Sequence, residues 1–500
     1  MYGQESIKIV KAILAIDQGT TSTRAIAFLV NGKKLFSSQL EFKQYFPKNG
    51  WVEHNPNEIW LKTLKVIKNV SGKCTKKKIK IITIGITNQR ETTVLWDKTN
   101  GKPVYNAIVW QDRRTEDFCK KLKLKNKESI IRKKTGLFLD PYFSATKARW
   151  IIKNVSKAKK LIKEKKLLFG TIDTFLIWKL TNGKVHATDA TNASRTMLFN
   201  INKNKWDNEI LKLFSISKNI LPDVKNSADN FGTTKKSIIG RAIPINGVVG
   251  DQQAATIGQC CFSKGSVKST YGTGAFVMMN TGSKKIFSKN KLLTTICYRI
   301  NNKTIYALEG SIFVAGAGVQ WVRDKLKLIN NAYVTEKIAK SKKDNNGVYL
   351  VPAFTGLGAP YWSPNSRGVL CGLTRNSDWK DIVRAVIESV AYQSFDLFKA
   401  MNRDGLKPTI VKVDGGMVSN NWFSQFLSDI LGIKVIRPKI HETTALGAAF
   451  MAGLYIGEFQ SLESISKRWK IDKRFNPKIN KSSRIKLLKG WEQAIKKTLI

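Results

Sequence analysis

Short apolar runs that stop abruptly at polar residues set the rhythm of this chain. Ala12-Ile13-Leu14-Ala15-Ile16 is continuous enough for a buried strand, and Asp17-Gln18-Gly19-Thr20-Thr21-Ser22-Thr23-Arg24 ends it. A β-rich run over 25–30 then meets Asn31-Gly32, a dipeptide that closes hairpins. Residues 57–70 instead carry apolar positions at helical spacing behind Asn55-Pro56, a helix-start pair. The run 81–86 predicts the next buried strand, leading into Thr87-Asn88-Gln89-Arg90-Glu91. Strand–helix alternation continues through Val109-Trp110 and a helix over 144–154.

The style breaks over 225–247, a polar, glycine-containing stretch, and restarts at Gly250. Tyr271-Gly272-Thr273-Gly274 reads as a turn before the apolar residues 275–279, and 410–413 reads as a strand stopped by Asp414-Gly415-Gly416. An Asp-containing strand–turn unit therefore recurs, as Ile16-Asp17-Gln18-Gly19 and as Val413-Asp414-Gly415-Gly416. The expectation is a duplicated α/β fold with a cleft between the halves and a boundary near 255–262. The last forty residues, basic and amphipathic, predict a C-terminal helix.

At 500 residues, two large domains or three smaller ones are expected. Composition adds one anomaly, 86 Lys and Arg against 36 Asp and Glu, a formal net charge of +50. A field of that sign attracts polyanions. Its lysines are scattered in short runs such as Lys76-Lys77-Lys78 and Lys133-Lys134, with no basic arm interleaved with aromatics. That pattern favours solvated helix faces, and no specific nucleic-acid partner is expected. Six cysteines without a CxxC pair and three histidines offer zinc little. With no signal-like start and no run of 18 apolar residues, a cytoplasmic protein with reduced thiols and no membrane span is expected.

The polar strand ends carry the candidate chemistry. In Asp17-Gln18-Gly19-Thr20-Thr21-Ser22, glycine lets backbone approach an anion, and the hydroxyls and N–H groups can surround phosphate oxygens. Asp17 could hold Mg²⁺ through water, and Arg24 adds positive charge; equally, the threonines could serve only the turn. Asp251, after Val248-Val249-Gly250, could accept a proton from an alcohol attacking a γ-phosphate, or could cap a helix beginning near Gln253. Gly415-Gly416 could let a planar ring lie against the backbone, and Asn420 could be a helix-start residue. A small polyol needs fixed polar partners and aromatic walls, which Arg90, Glu91, Tyr142, Trp110 and Phe276 could supply. The plain alternatives are core packing for Trp110 and Phe276 and a surface ion pair for Arg90-Glu91.

Longer matches narrow the choice. YFSATKARWIIKN from Tyr142 and GVLCGLTRNSDWKDIVRAVIE from Gly368 fit the two signatures of the FGGY carbohydrate kinases, which the chain resembles over nearly its whole length. DQGTTSTR, GWVEHNP from Gly50, GITNQRETT from Gly85, YNAIVWQDRR from Tyr105, TNASRTMLFN from Thr191, GDQQAA from Gly250 and PAFTGLGAPYW from Pro352 resemble the members acting on glycerol. The resemblance implies two actin-like (ribonuclease-H-like) α/β domains, 8–257 for polyol and phosphate and 262–500 for nucleotide, with the active-site cleft between them. It implies ATP-dependent phosphorylation of glycerol to sn-glycerol 3-phosphate, with Mg²⁺, in a homo-oligomer. Asp251 would be the general base. Arg90, Glu91, Tyr142 and Gln252 would bind the other polyol oxygens, between Trp110 and Phe276. Thr20, Thr21, Ser22, Arg24 and Thr273 would meet phosphates, Gly316, Gln320, Gly416 and Asn420 would seat the nucleotide, and Asp17 would organise Mg²⁺. Some bacterial members bind a sugar-bisphosphate regulator through a Gly-Gly-Lys-Gly-Gly loop, a pattern that Gly232-Thr233-Thr234-Lys235-Lys236-Ser237 lacks.

Overall fold

The computed structural model describes residues 10–499, so residues 8, 9 and 500 of the expected domain bounds lie outside it. The chain divides into two compact units. The first takes the chain up to Cys260, then Thr295–Tyr306 and Glu442–Arg468; the second takes Cys261–Thr294, Ala307–His441 and the chain from Trp469 onward.

In chain order, the elements that matter begin with β1 (Lys11–Gln18), β2 (Ser22–Leu29), β3 (Lys34–Glu41), α1 (Pro56–Lys76) and β4 (Lys80–Asn88). Next come α2 (Ser144–Asn154), α3 (Ala190–Ser194), β5 (Ile245–Gly250) and α4 (Asp251–Gly258). The chain continues with β6 (Val267–Tyr271), β7 (Ala275–Gly282), β8 (Leu293–Ile300), β9 (Lys303–Ile312), α5 (Gly316–Asp324) and α6 (Trp379–Arg403). It closes with β10 (Ile410–Asp414), α7 (Asn421–Leu431), β11 (Lys434–Pro438), α8 (Thr443–Tyr455), β12 (Ile471–Phe475) and α9 (Lys481–Thr498).

The first unit is built on a sheet of order β5-β4-β1-β2-β3. β2 runs antiparallel to its neighbours β1 and β3, while β1, β4 and β5 run parallel. Helix α1 packs on β2 and β3, and α8 packs on β1, β4 and β5. Every residue of β1 after Lys11 is buried, as an apolar strand covered on both faces must be. Asn55 caps α1 by accepting the N–H groups of Asn57 and Glu58, with Pro56 in the first turn, as the sequence predicts. Gly85 shows how closely α8 lies on β4: a Cβ there would come within 2.3 Å of the Ala448 carbonyl oxygen. The polar stretch 225–247 lies within the first unit and leads into β5.

A second sheet has the order β8-β9-β7-β6-β10-β11-β12; its strands β7, β6, β10 and β12 lie in the second unit with β11, while Thr295–Ile300 of β8 and Lys303–Tyr306 of β9 fall in the first. Here β6 is antiparallel to β7 and parallel to β10, and β10 is parallel to β11. The order β11-β10-β6-β7-β9 therefore repeats β5-β4-β1-β2-β3 strand for strand. That corrects the expected pairing of turns. The counterpart of the β1–β2 turn is the β6–β7 turn at Gly272-Thr273-Gly274, whereas Asp414-Gly415-Gly416 ends the strand corresponding to β4. Both Asp17 and Asp414 end apolar strands, and one-dimensional pattern cannot say which strand is the hairpin's first arm. Trp491 of α9, the expected C-terminal helix, stacks on Tyr392 of α6 at 5.3 Å. Among the described residues no helix is long and apolar enough to cross a membrane.

Candidate active site

Parallel pairing gathers the polar strand ends of the first unit. Gln18, Asn88 and Gly250 lie in register across β1, β4 and β5, so the segments that follow them leave one edge of the sheet. Ligands of open α/β sheets bind outside such carboxyl ends. Gln89 ties two of these ends together: its N–H donates to the Gln18 carbonyl at 2.7 Å and its amide to the Gly19 carbonyl at 3.1 Å.

In the β1–β2 turn, the Gly19 N–H donates to the Ser22 carbonyl at 2.9 Å. Thr21 is exposed, and Thr20 and Ser22 are partly exposed. The Thr20 hydroxyl accepts the indole N–H of Trp110 at 3.0 Å. Asp17 is cross-strand partner to Arg24, and their side chains form an ion pair. Arg24 also reaches Glu442, just before α8, at 2.7 Å. Burial pushes the Asp17 carboxyl above its ordinary value; Arg24 opposes this, while Asp251 and Glu442 reinforce it.

The end of β4 turns sharply. The Thr92 N–H donates to the Arg90 carbonyl at 2.6 Å around Glu91, whose φ is +58°, a conformation ordinarily left to glycine. Arg90 and Glu91 are 2% and 1% exposed, which removes the surface-ion-pair reading. Each points to a different partner. Arg90 Nε lies 3.0 Å from Asp251 Oδ1, and its Nη1 donates to Gln253 Oε1 at 3.1 Å. Glu91 Oε1 accepts from Arg195 Nε at 2.5 Å.

Asp251 opens α4 itself, with Gly250 in the capping position and no side-chain cap, so the cap reading fails. Its Oδ1 accepts the Gln252 N–H at 2.7 Å. The Gly250 N–H just before it donates to Thr191 Oγ1 of α3 at 2.8 Å. Gln252 is buried, and Asp251 is half-buried.

Trp110 follows the short strand Ala107–Ile108 rather than lying in a strand. It is partly exposed and meets the buried Tyr142 ring edge-on, with centroids 5.6 Å apart. Tyr142 in turn lies against the Arg195 guanidinium at 5.5 Å. Arg195 thus touches both Glu91 and Tyr142. Thr191, Arg195 and Gln253 each support an expected site residue without having been singled out in the sequence. Thr191 lies in α3 and Arg195 just after it, both in the TNASRTMLFN run, whose dense polar residues are the available signal.

The second unit holds the remaining expected residues. Thr273 is exposed in the β6–β7 turn, and its carbonyl accepts the N–H groups of Ala315 at 2.9 Å and Ala317 at 3.0 Å, fixing the start of α5. Gly316 opens that helix, donating to the Gly272 carbonyl at 2.9 Å, and Gln320 is exposed on it. Gly416 is exposed beyond Gly415, whose φ of +95° requires glycine and whose added Cβ would strike the Tyr271 carbonyl oxygen at 2.4 Å. Asn420 caps α7 through the Phe423 N–H at 2.9 Å, so the helix-start reading holds for it. Phe276, half-buried on β7, belongs to this unit and not to the one holding Trp110 and Tyr142, and it is not core.

Residues 12–258 match the N-terminal domain of the FGGY family of carbohydrate kinases, and residues 267–455 match its C-terminal domain. The chain belongs to the FGGY family of carbohydrate kinases. It is 54% identical to glycerol kinase 1 of Pseudomonas aeruginosa, over 97% of this chain and 98% of that protein. It is 56% identical to the glycerol kinase of Alteromonas mediterranea, with the same two shares covered. The solved Plasmodium falciparum glycerol kinase with ADP superimposes with a TM-score of 0.92 at 40% identity, covering 98% of this chain and 99% of that one. A gluconate kinase from Lactobacillus acidophilus, at 23% identity and a TM-score of 0.86 over 97% of each chain, shares the fold.

Proposed function

We propose that Asp251 is the general base in the reaction this chain catalyses, the ATP-dependent phosphorylation of glycerol to sn-glycerol 3-phosphate. The carrying observation is the anchoring of one carboxylate oxygen: Oδ1 takes both Arg90 Nε at 3.0 Å and the Gln252 N–H at 2.7 Å. Oδ2, which carries neither contact, is the oxygen assigned to receive the hydroxyl proton. Phosphoryl transfer depends mainly on alignment and charge stabilisation, so a fixed acceptor beside a fixed polyol is what the chain must supply. Arg90, Glu91, Tyr142 and Gln252 are assigned to the other glycerol oxygens, with Trp110 and Phe276 as apolar walls. Thr20, Thr21, Ser22, Arg24 and Thr273 are assigned to phosphates, and Gly316, Gln320, Gly416 and Asn420 to the nucleotide.

Mg²⁺ takes one or two carboxylates and completes its shell with phosphate and water. Asp17 fits that demand: its carboxyl is buried and ion-paired with Arg24, and it also feels the negative charges of Asp251 and Glu442, which a divalent cation would relieve. No group of three His, Cys, Asp or Glu side chains among the described residues could hold a metal alone, so phosphates would complete the shell. When bound, the ion would neutralise charge on the transferring phosphoryl group. A cytoplasmic location and a homo-oligomer belong to the same reading, and fractionation and light scattering test them.

Asp251→Asn is the direct test. The variant should bind glycerol and ATP as the wild type does while kcat falls ~10²–10⁴-fold. A kcat near wild type removes Asp251 from the base role. A panel of polyols and sugars with coupled ADP detection tests the substrate, and preference for xylulose or gluconate would point to another sugar or polyol kinase of the family.

A further inference from the structure

Lys147 stands in the first turns of α2, fully buried at 0% exposure. A buried ammonium is costly unless it is paired or fully hydrogen-bonded, and ordinary packing there would need only a methionine. Among the described residues no carboxylate pairs with it. The acidic groups whose charge it feels are Glu91, Asp112 and Asp140. Each already has an arginine: Arg195 for Glu91 at 2.5 Å, Arg114 for Asp112 at 2.8 Å, and Arg113 for Asp140 at 2.8 Å. A further group whose charge it could feel is the thiol of Cys119, which burial holds well above its ordinary value and therefore neutral. Lys147 spends its donors on backbone instead, giving hydrogen bonds to the carbonyls of Pro141 at 2.9 Å and Tyr142 at 2.5 Å.

Those two carbonyls flank the expected polyol contact. The Tyr142 N–H is held separately by Asp140 Oδ1 at 2.9 Å, and Arg113 grips that carboxylate through both oxygens, at 2.8 and 3.4 Å. We infer that Lys147 is a positioning residue for glycerol: its ammonium closes the backbone turn that carries Tyr142 and so sets where the Tyr142 ring and hydroxyl stand. The inference rests on the assignment of Tyr142 to glycerol. It also has a pH signature. Burial, opposed only in part by the three carboxylates, brings the Lys147 ammonium down to about 8, so its charge-assisted bonds weaken as pH rises past that value.

The test compares wild type, Lys147→Met and Tyr142→Ala by steady-state kinetics for both substrates, with thermal melts alongside. Lys147→Met should raise the glycerol KM about tenfold, as loss of a charge-assisted bond implies, with the ATP KM within about twofold of wild type. Equal glycerol KM values in Lys147→Met and wild type overturn the inference, as do parallel changes in both KM values. Tyr142→Ala separates the two layers: an unchanged glycerol KM there removes the assignment of Tyr142, and the inference falls with it. If Lys147→Met does not fold, the wild-type profile decides. The glycerol KM should rise about threefold or more between pH 7 and 9 while the ATP KM holds, and a flat glycerol profile overturns the inference.

Discussion

The indole N–H of Trp110 donates to Oγ1 of Thr20 across 3.0 Å, joining a residue assigned to the polyol to one assigned to phosphate. The same ring meets Tyr142 edge-on at 5.6 Å. Trp110→Phe keeps an aromatic wall and releases the threonine. With a hydrogen bond worth ~1 kcal/mol, the ATP KM should change about fivefold and the glycerol KM less, read by initial rates with each substrate varied. Trp110→Ala should move both.

Glu91 is 1% exposed and accepts Arg195 Nε at 2.5 Å, with Arg90 Nε farther away at 3.9 Å. Removing the nearer partner of a buried charge leaves it less well compensated. Arg195→Leu should therefore lower stability by about 3 kcal/mol or more, visible as a clear fall in Tm, and should raise the glycerol KM. Denaturant unfolding that matches wild type would show that Glu91 finds its compensation elsewhere.

His54 supplies a pH dependence. It is fully buried, and burial holds its imidazole at about 4, below the ordinary 6.5. Its Nδ1 lies 3.3 Å from the Gln89 amide nitrogen, so the neutral ring accepts there and a protonated one could not. Because the folded value is depressed, the unfolded chain binds the extra proton, and this contribution is lost as pH falls from about 6.5 towards 4. At ~1.36 kcal/mol for each pH unit, its ceiling is about 3 kcal/mol. Asp173 and Asp396, both pushed up to about 6 by burial, contribute with the opposite sign. The check is thus the difference between wild-type and His54→Leu unfolding free energies across that range, which should shrink as pH falls.

Gly85 tests the packing of α8. Its Cβ would stand 2.3 Å from the Ala448 carbonyl oxygen and 3.0 Å from the Ala449 nitrogen, both backbone atoms that cannot rotate away. Gly85→Ala should cost about 1–3 kcal/mol, measured by denaturant unfolding, with β4 and the Arg90-Glu91 turn displaced enough to raise the glycerol KM as well. A variant as stable as the wild type would show that α8 can shift at no cost.

Much of the fold was legible because local patterns have local causes. The unbroken apolar run before Asp17 marked a strand covered on both faces, and Asn55-Pro56 marked a helix start because the side chain of Asn55 satisfies N–H groups only two and three residues away. The helix over Ser144–Asn154 begins and ends where its apolar spacing does. The strand-end polar residues were likewise visible, since a polar residue interrupting such a run must meet solvent, ligand or a buried partner.

What one dimension could not hold was who meets whom. Arg90 and Glu91 read equally well as a surface pair, and only the folded chain turns one to Asp251 and the other to Arg195, which lies 104 positions away from Glu91. Asp414-Gly415-Gly416 resembles the β1–β2 turn in sequence because strand ends resemble one another; sheet order instead makes Gly272-Thr273-Gly274 its counterpart. Nothing in the sequence gives Lys147 a partner; burial and two backbone carbonyls do. By itself, the sequence determined several buried strands, the starts of α1 and α2 and the family to which its motifs belong, because these depend on neighbours in the chain. The tertiary structure decided which strands pair, which charges are buried and which oxygen of Asp251 is anchored, because each depends on groups that only folding brings within a few ångströms.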